Sequence, residues 1–288
     1  MSLVGETRPL RTIVITGGTE GMGRGLGLYC LGRGDRVVVI GSNPDKGRRF
    51  LQEARAIGAG ERAVYMRADL SLVAENRRVI ADIANTYPAL DALVLAARFY
   101  RSTRHETAEG IEHNFALFHL SRHLLTHGLA DRLEDGERPV ILDLAGPGGG
   151  LSAMNWDDLQ FVRGYRPDRV MAQCGKLRDL AGVGFTATHP GSRIRYVLAH
   201  PGLTTTAFTG DYDEADAALV AEMRDRGQPV HVAVEMLRRH LDEPDPEPLS
   251  AYMQHTKIST DGEPFDPAAA QRLLDMTETV LAGTGQPV

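Results

Sequence analysis

Ile13-Val14-Ile15-Thr16-Gly17-Gly18-Thr19-Glu20-Gly21-Met22-Gly23 is the stretch on which the reading of this chain turns. A short β-branched run of the kind that forms a buried parallel strand ends in a cluster of glycines. Residues 24–31 follow, and their Leu26, Leu28, Tyr29 and Leu31 suit a helix packed on a sheet. Strand, glycine turn and helix start together describe a cradle for a dinucleotide pyrophosphate. Glycine lets the backbone turn tightly and approach the phosphates, and free N–H groups at a helix N-terminus favour an anion. A glycine-rich loop alone is equally what a plain tight turn looks like, so the rest of the chain must decide. Gly25 and Gly27 would each cost a free helix roughly 1 kcal/mol relative to alanine, and a close helix–sheet contact would explain them.

The chain has 288 residues, enough for one large domain with a well-buried core. A formal charge of -6 and the lack of any basic cluster argue against a nucleic-acid-binding surface. Two cysteines, Cys30 and Cys174, follow no metal or disulfide spacing and read as buried thiols of a reducing compartment. The N-terminal stretch carries Glu6 and no apolar signal core, and no apolar run approaches membrane-spanning length. The expectation is a soluble, cytoplasmic globular protein with no membrane partner.

Outward from the opening motif, strands alternate with helices. Arg36–Ile40, Ala63–Met66, Ala92–Ala96, Val140–Leu144 and Ile194–Leu198 read as strands. Between them lie helices opened by Pro44, capped by Ser71 and running to about Thr86, spanning about Glu106 to Leu129, and covering Asp168 to Ala181. This alternation implies an α/β, Rossmann-type, doubly wound parallel sheet of about seven strands with helices on both faces. No linker divides the chain, so residues 1–288 read as a single domain. Asp242–Pro248 is an acidic, proline-rich connector, Leu249–Met253 a last edge strand, and Pro267–Leu281 a closing helix.

Thr16-Gly17-Gly18-Thr19-Glu20-Gly21-Met22-Gly23 matches the Thr-Gly-x-x-x-Gly-x-Gly pattern of the short-chain dehydrogenase/reductases, which the chain resembles along nearly its whole length. Asp69-Leu70 resembles that family's adenine-contacting pair. His200-Pro201-Gly202-Leu203-Thr204-Thr205-Thr206 resembles its Pro-Gly stretch, with Thr206 in the place that holds the nicotinamide carboxamide. Gly110-Ile111-Glu112 with Leu117, Leu120 and Leu124-Leu125-Thr126, Asn155-Trp156-Asp157-Asp158-Leu159 and Leu249-Ser250-Ala251-Tyr252 resemble the retinol-dehydrogenase-like branch. The resemblance implies cofactor contacts from Thr16, Gly17, Thr19, Gly21, Met22, Gly23, Ser42, Asp69, Leu70, Ala96, Lys176, Pro201, Gly202 and Thr206, and it implies a homodimer.

The family's catalytic residues do not come through. Hydride transfer to a carbonyl leaves an alkoxide, to which a tyrosine phenol gives its proton with a lysine ammonium lowering its pKa. A serine holds the carbonyl oxygen and an asparagine supports a water chain. In Ala172-Gln173-Cys174-Gly175-Lys176 the lysine place is filled, but the tyrosine place holds Ala172. The serine place falls on Gly146, the asparagine place on Phe118, with Asn114 one helical turn early. The family's Asn-Asn-Ala-Gly is Leu95-Ala96-Ala97-Arg98. By the resemblance, Lys176 also bonds the nicotinamide ribose.

At the end of the second strand an acidic residue would hold the ribose 2′-OH and a basic one a 2′-phosphate. Gly41 and Ser42 stand there, with Arg24 or Arg48 in reach and Glu20 opposing them; the balance favours NADP(H) over NAD(H). Candidate chemistry falls to Tyr165, Asp143, Arg98 and Lys176. Tyr165 lies in the loop before the catalytic helix, Asp143 near the end of the fifth strand, and Arg98 after the fourth. For Tyr165 packing and for Asp143 backbone bonding are the commoner roles, and Arg98 either holds an anionic substrate or makes a rim salt bridge. His119, His123 and His127 repeat every four residues, but no neighbouring Cys or Glu completes a metal set, so a polar helix face is expected and no metal. Three functions follow. They are an atypical NAD(P)(H)-dependent reductase of a small organic substrate, a non-redox cyclase or isomerase, and a binding or scaffold protein.

Overall fold

The β-branched runs are buried on both faces, and that burial builds the centre of the molecule: Ile13, Val14 and Ile15, like Val37 to Ile40, have no exposed surface. The structure is a computed structural model that describes residues 10–206 and 208–284. In chain order the first strands are β1 (Thr12–Thr16), β2 (Arg36–Gly41), β3 (Ala63–Arg67), β4 (Ala92–Leu95) and β5 (Tyr100–Arg101). The others are β6 (Val140–Leu144), β7 (Arg195–His200), β8 (Gly210–Asp211), β9 (Leu249–Met253) and β10 (Thr256–Ile258). Eight of them form one sheet in the order β10-β9-β7-β6-β4-β1-β2-β3. All pair in parallel except β10, which turns back antiparallel on β9. The expected doubly wound sheet of about seven strands therefore gains an eighth, the three residues Thr256-Lys257-Ile258, too short to read. The strand order reverses between β1 and β4, and such a switch point opens a crevice at the carboxyl ends of the strands.

The helices are α1 (Gly21–Gly32), α2 (Pro44–Ala56), α3 (Val73–Thr86), α4 (residues 113–128), α5 (Ala130–Glu134) and α6 (Pro167–Thr188). After them come α7 (Glu214–Arg226), α8 (Val230–Asp242) and α9 (Pro267–Gly283). No helix among the described residues is long and apolar enough to cross a membrane. Gly27 does sit close to the sheet, where an added Cβ would lie 3.6 Å from Val39, but it would lie nearer still, at 3.1 Å, to Phe50 of α2. Gly25 is explained by another helix: its Cβ would come within 2.6 Å of Val234 on α8.

Two helix starts differ from expectation. Ser71 does not cap α3, because its N–H and hydroxyl both turn back to Asp69. The carboxylate of Glu109, distant in sequence, accepts from Val73 and Ala74 N–H instead. The helix expected from Glu106 begins only at His113, where Glu112 accepts from the Asn114 and Phe115 N–H groups. Before it, Gly110 at φ 74 and a bridge between Glu106 and Glu112 form a closed loop. Within α4, Ala116–Leu120 is wound as a π-helix, a feature that commonly marks functional segments.

The histidine row of α4 is not a polar face. Rings follow one another from Phe115 through His119 and His123 to His127, at centroid distances of 5.2, 6.3 and 4.4 Å. Helix α9 covers the first two histidines, with His119 Nε2 2.7 Å from Thr277 Oγ1 and His123 Nε2 3.2 Å from Glu278, while His127 rests against Phe185 and His189. Burial, helped by the neighbouring imidazoles, lowers His119 and His127 to about 3. Burial also lowers His123, against the opposing pull of Glu278. Folding therefore holds these rings neutral while the unfolded chain takes up protons below its ordinary value of about 6.5. The stability they allow is complete above that pH and drains away as pH falls toward about 3. Urea midpoints measured from pH 7 to pH 4 should decline, with a slope of up to about 1.4 kcal/mol per pH unit for each ring. His119→Gln should flatten that slope.

Candidate active site

A cleft of about 1150 Å3 opens at the carboxyl ends of β1, β4 and β6. Its first half is the opening motif. Thr16 sends its hydroxyl to Val94 O and accepts from the N–H groups of Ala96 and Ala97, which ties the end of β1 to the end of β4. Gly17 is the turn itself: at φ 64, with an added Cβ only 2.7 Å from Ala97 Cα, only glycine fits. Helix α1 begins immediately afterwards, and no side chain caps its N-terminus. Its orphan N–H groups and the glycine approach fit a pyrophosphate. Thr16, expected among the cofactor contacts, is not one of the lining residues; its hydroxyl is spent on β4. Gly17, Thr19, Gly21, Met22, Gly23, Ser42, Asp69, Leu70, Ala96, Pro201, Gly202 and Thr206 all line the cleft.

At the adenosine end the cation in place is Lys46, which sequence reasoning missed. It lines the cleft beside Ser42 and Asn43, and its ammonium lies 2.6 Å from Glu20. Glu20 also accepts from Thr209. Arg24 and Arg48, expected to be in reach, are not lining residues: Arg24 pairs with Glu53 and Arg48 with Asp45.

The other half is lined from β6, α4, α6 and the end of β7. Lys176 belongs to this wall, but its fully buried ammonium donates to Asp179 (2.9 Å) and to Pro264 O (2.7 Å). The expected ribose-facing ammonium is therefore engaged elsewhere. One face of α6 brings Met171, Gly175 and Arg178 to the cleft in its place. Arg178 donates to Leu144 O (2.8 Å) and lies over the Phe118 ring, with its Nε buried and unsatisfied. Burial, and then repulsion from Arg122, lowers it to about 10, which leaves it charged at neutral pH. His200 lines the same end, 3.8 Å from where a Cβ on Gly146 would stand. Its Nδ1 accepts from Gly202 N–H (3.2 Å), so Nε2 carries the proton; burial and Arg178 lower its pKa and keep the ring neutral.

Two candidates are corrected. Tyr165 is not a lining residue: its hydroxyl donates to Arg101 O (3.1 Å) and accepts from Asn114 Nδ2 (2.8 Å), beside Glu112. Burial and then the Glu112 charge push that phenol further up, the wrong direction for an acid. Asp143 has no exposed surface and is ion-paired to Arg122, with Tyr196 donating to its other oxygen. Arg122 also donates to Leu95 O and Ala97 O. Arg98 does line the cleft, stacked over Phe208 and bonded to Tyr212. Cys174 is part of the wall yet packs with Tyr100, Phe118, Phe161 and Val170, and its thiol is pushed up to about 12 by burial. Among the described residues no tyrosine lines the cleft, and no group of three or more His, Cys, Asp or Glu could hold a metal.

The short chain dehydrogenase family model matches residues 11–146. Human polyprenol dehydrogenase is 25% identical over 209 residues, 69% of this chain and 62% of that protein. Human retinol dehydrogenase 13 is 26% identical over 216 residues, 70% of this chain and 65% of that one. The chain thus spans less than two thirds of the length of these relatives. A short-chain dehydrogenase from Sphingobium yanoikuyae, solved in complex with NADPH, superposes with a TM-score of 0.63 at 17% identity, covering 97% of each chain.

Asp143→Ala strands the Arg122 guanidinium in the interior and should cost about 3–5 kcal/mol in urea unfolding. Tyr165→Phe removes one neutral hydroxyl and should cost about 1 kcal/mol, with nucleotide affinity unchanged by calorimetry.

Proposed function

The chain belongs to the short-chain dehydrogenase/reductase superfamily, in its retinol-dehydrogenase-like branch, and from that premise we propose an NADP(H)-dependent oxidoreductase of a small organic substrate that works without a serine–tyrosine acid pair. One observation carries the reading: the uncapped start of α1 shares a single cleft with Arg178 and His200. When bound, the dinucleotide supplies or accepts a hydride. Gly21, Met22 and Gly23 would offer backbone N–H groups to its pyrophosphate, and Thr206 stands across from Gly21, 3.4 Å from where that residue's Cβ would lie.

At the adenosine end no carboxylate occupies Gly41 or Ser42, and Lys46 can exchange Glu20 for a 2′-phosphate. That exchange favours NADP(H), with Glu20 as the competing anion. At the far end the residues present hold negative charge rather than deliver a proton. Hydride arriving at a carbonyl or enone carbon places charge on oxygen, which the Arg178 guanidinium and the His200 Nε2–H can receive. The proton then comes from water. A non-redox cyclase or isomerase is the second reading, favoured by the absence of any lining tyrosine among the described residues.

The test is a calorimetric titration with NADPH, NADH and their oxidised forms. NADPH should bind more tightly than NADH. Lys46→Met should weaken NADPH about tenfold and leave NADH unchanged, and Glu20→Gln should strengthen NADPH a few-fold. Absence of binding at millimolar nucleotide would end the oxidoreductase reading.

A further inference from the structure

The charges at the floor of the cleft do not balance. Arg98, Arg122 and Arg178 all line the cleft, Arg98 at its exposed rim, and each of the first two repels Arg178. Only Asp143 answers them, and Arg122 holds that carboxylate. Of the other acids nearby, Asp179 is held by Lys176, Asp211 by Arg101 and Asp168 by Arg166, while Asp69 accepts from Ser71 and Glu263, beside Gly150, accepts from the Leu151 N–H. Among the described residues neither Arg98 nor Arg178 has an ion-pair partner. Arg178 has one carbonyl and one aromatic face for company, and its buried Nε has nothing. A guanidinium taken out of water without an anion is expensive unless something supplies the anion. There is room for one, because Gly146, Gly149 and Gly175 line the cleft without side chains.

We propose that this end of the cleft binds a carboxylate, so that the substrate is a small organic acid anchored by Arg178 with Arg98 at the mouth. This rests on the oxidoreductase reading for what happens to the acid, but not for its binding. The Arg178 guanidinium, one arm of which already donates to Leu144 O, is a charge-assisted donor to a carboxylate, and Arg98, exposed and stacked on Phe208, stands where a second contact would close over the ligand. The reacting carbon then lies beside the anchored group, within the part of the cleft that His200 shares.

The probe pair is benzoate and benzamide, alike in shape and different in charge, titrated calorimetrically into the NADP+-saturated protein and into the protein alone. Benzoate should bind roughly tenfold to a hundredfold more tightly than benzamide, the range of a charge-assisted hydrogen-bond pair. Arg178→Met should erase that preference while NADP+ affinity stays within about threefold, and Arg178→Lys should restore part of it. Arg98→Gln should reduce the preference without erasing it. Melting curves of each variant show that it is folded. Equal binding of the two probes, no binding of either, or a preference that survives in Arg178→Met overturns the proposal. So does a loss of NADP+ affinity in Arg178→Met that accounts for the whole effect, since the cation would then serve the cofactor. If the wild-type protein fails to bind NADP+, the oxidoreductase reading falls, and the benzoate–benzamide comparison on the protein alone still decides this one.

Discussion

Asp143 is a single carboxylate at the centre of the sheet, and its commitments set the chemistry of the cleft above it. Arg122 reaches it from α4 and continues to the Leu95 and Ala97 carbonyls, while Tyr196 donates to its second oxygen. The ends of β4, β6 and β7 are thereby locked to one helix by a charge pair with almost no exposed surface. Such a pair gives little net stability over an apolar equivalent, but it leaves no slack: every acceptor of the carboxylate has a donor. Arg178, its neighbour on α6, consequently finds a carbonyl instead of a carboxylate.

The other half of the site is set by close approach of backbone. Gly17 cannot carry a side chain because Ala97 stands against it, and Gly23 cannot because a Cβ would lie 2.5 Å from Gly17 O. Those contacts press the start of α1 onto the ends of β1 and β4. Gly25 carries the constraint outward, since its missing side chain lets α8 lie against α1. The phosphate cradle is in this sense a packing consequence of glycines that serve three different neighbours.

The sheet was legible because fully buried strands must be nearly continuous apolar runs, as Val37-Val38-Val39-Ile40 and Ile141-Leu142 are. What escaped was whatever depends on distant partners. Glu109 caps α3 from a loop 36 residues away, which no local pattern announces. The rows of histidines on α4 read as polar because α9, which covers His119 and His123, is remote in sequence. On α6 the match of Lys176 to a familiar place gave its identity but not its direction. A helix turns about 100° per residue, so Arg178, two positions on, can face the cleft while Lys176 is drawn to Asp179 and Pro264. Only the position of residues 263–265, beyond any pattern on the helix, decides between them.

A phenol and a guanidinium do opposite things for a developing alkoxide. A tyrosine acid ends the charge by giving up its proton, and needs a lowered pKa to do so. Arg178, held at about 10, keeps its proton at neutral pH and can only share it. His200 is neutral with Nδ1 engaged, so its Nε2–H also donates a hydrogen bond without surrendering the proton. A pocket of this kind would suit an anion that needs no immediate protonation by the protein, because fixed donors stabilise developing charge without giving up a proton. On the reading proposed above, the missing tyrosine and the unpaired arginine are two sides of one arrangement: donors that keep their protons would hold the anion, and water would supply the proton.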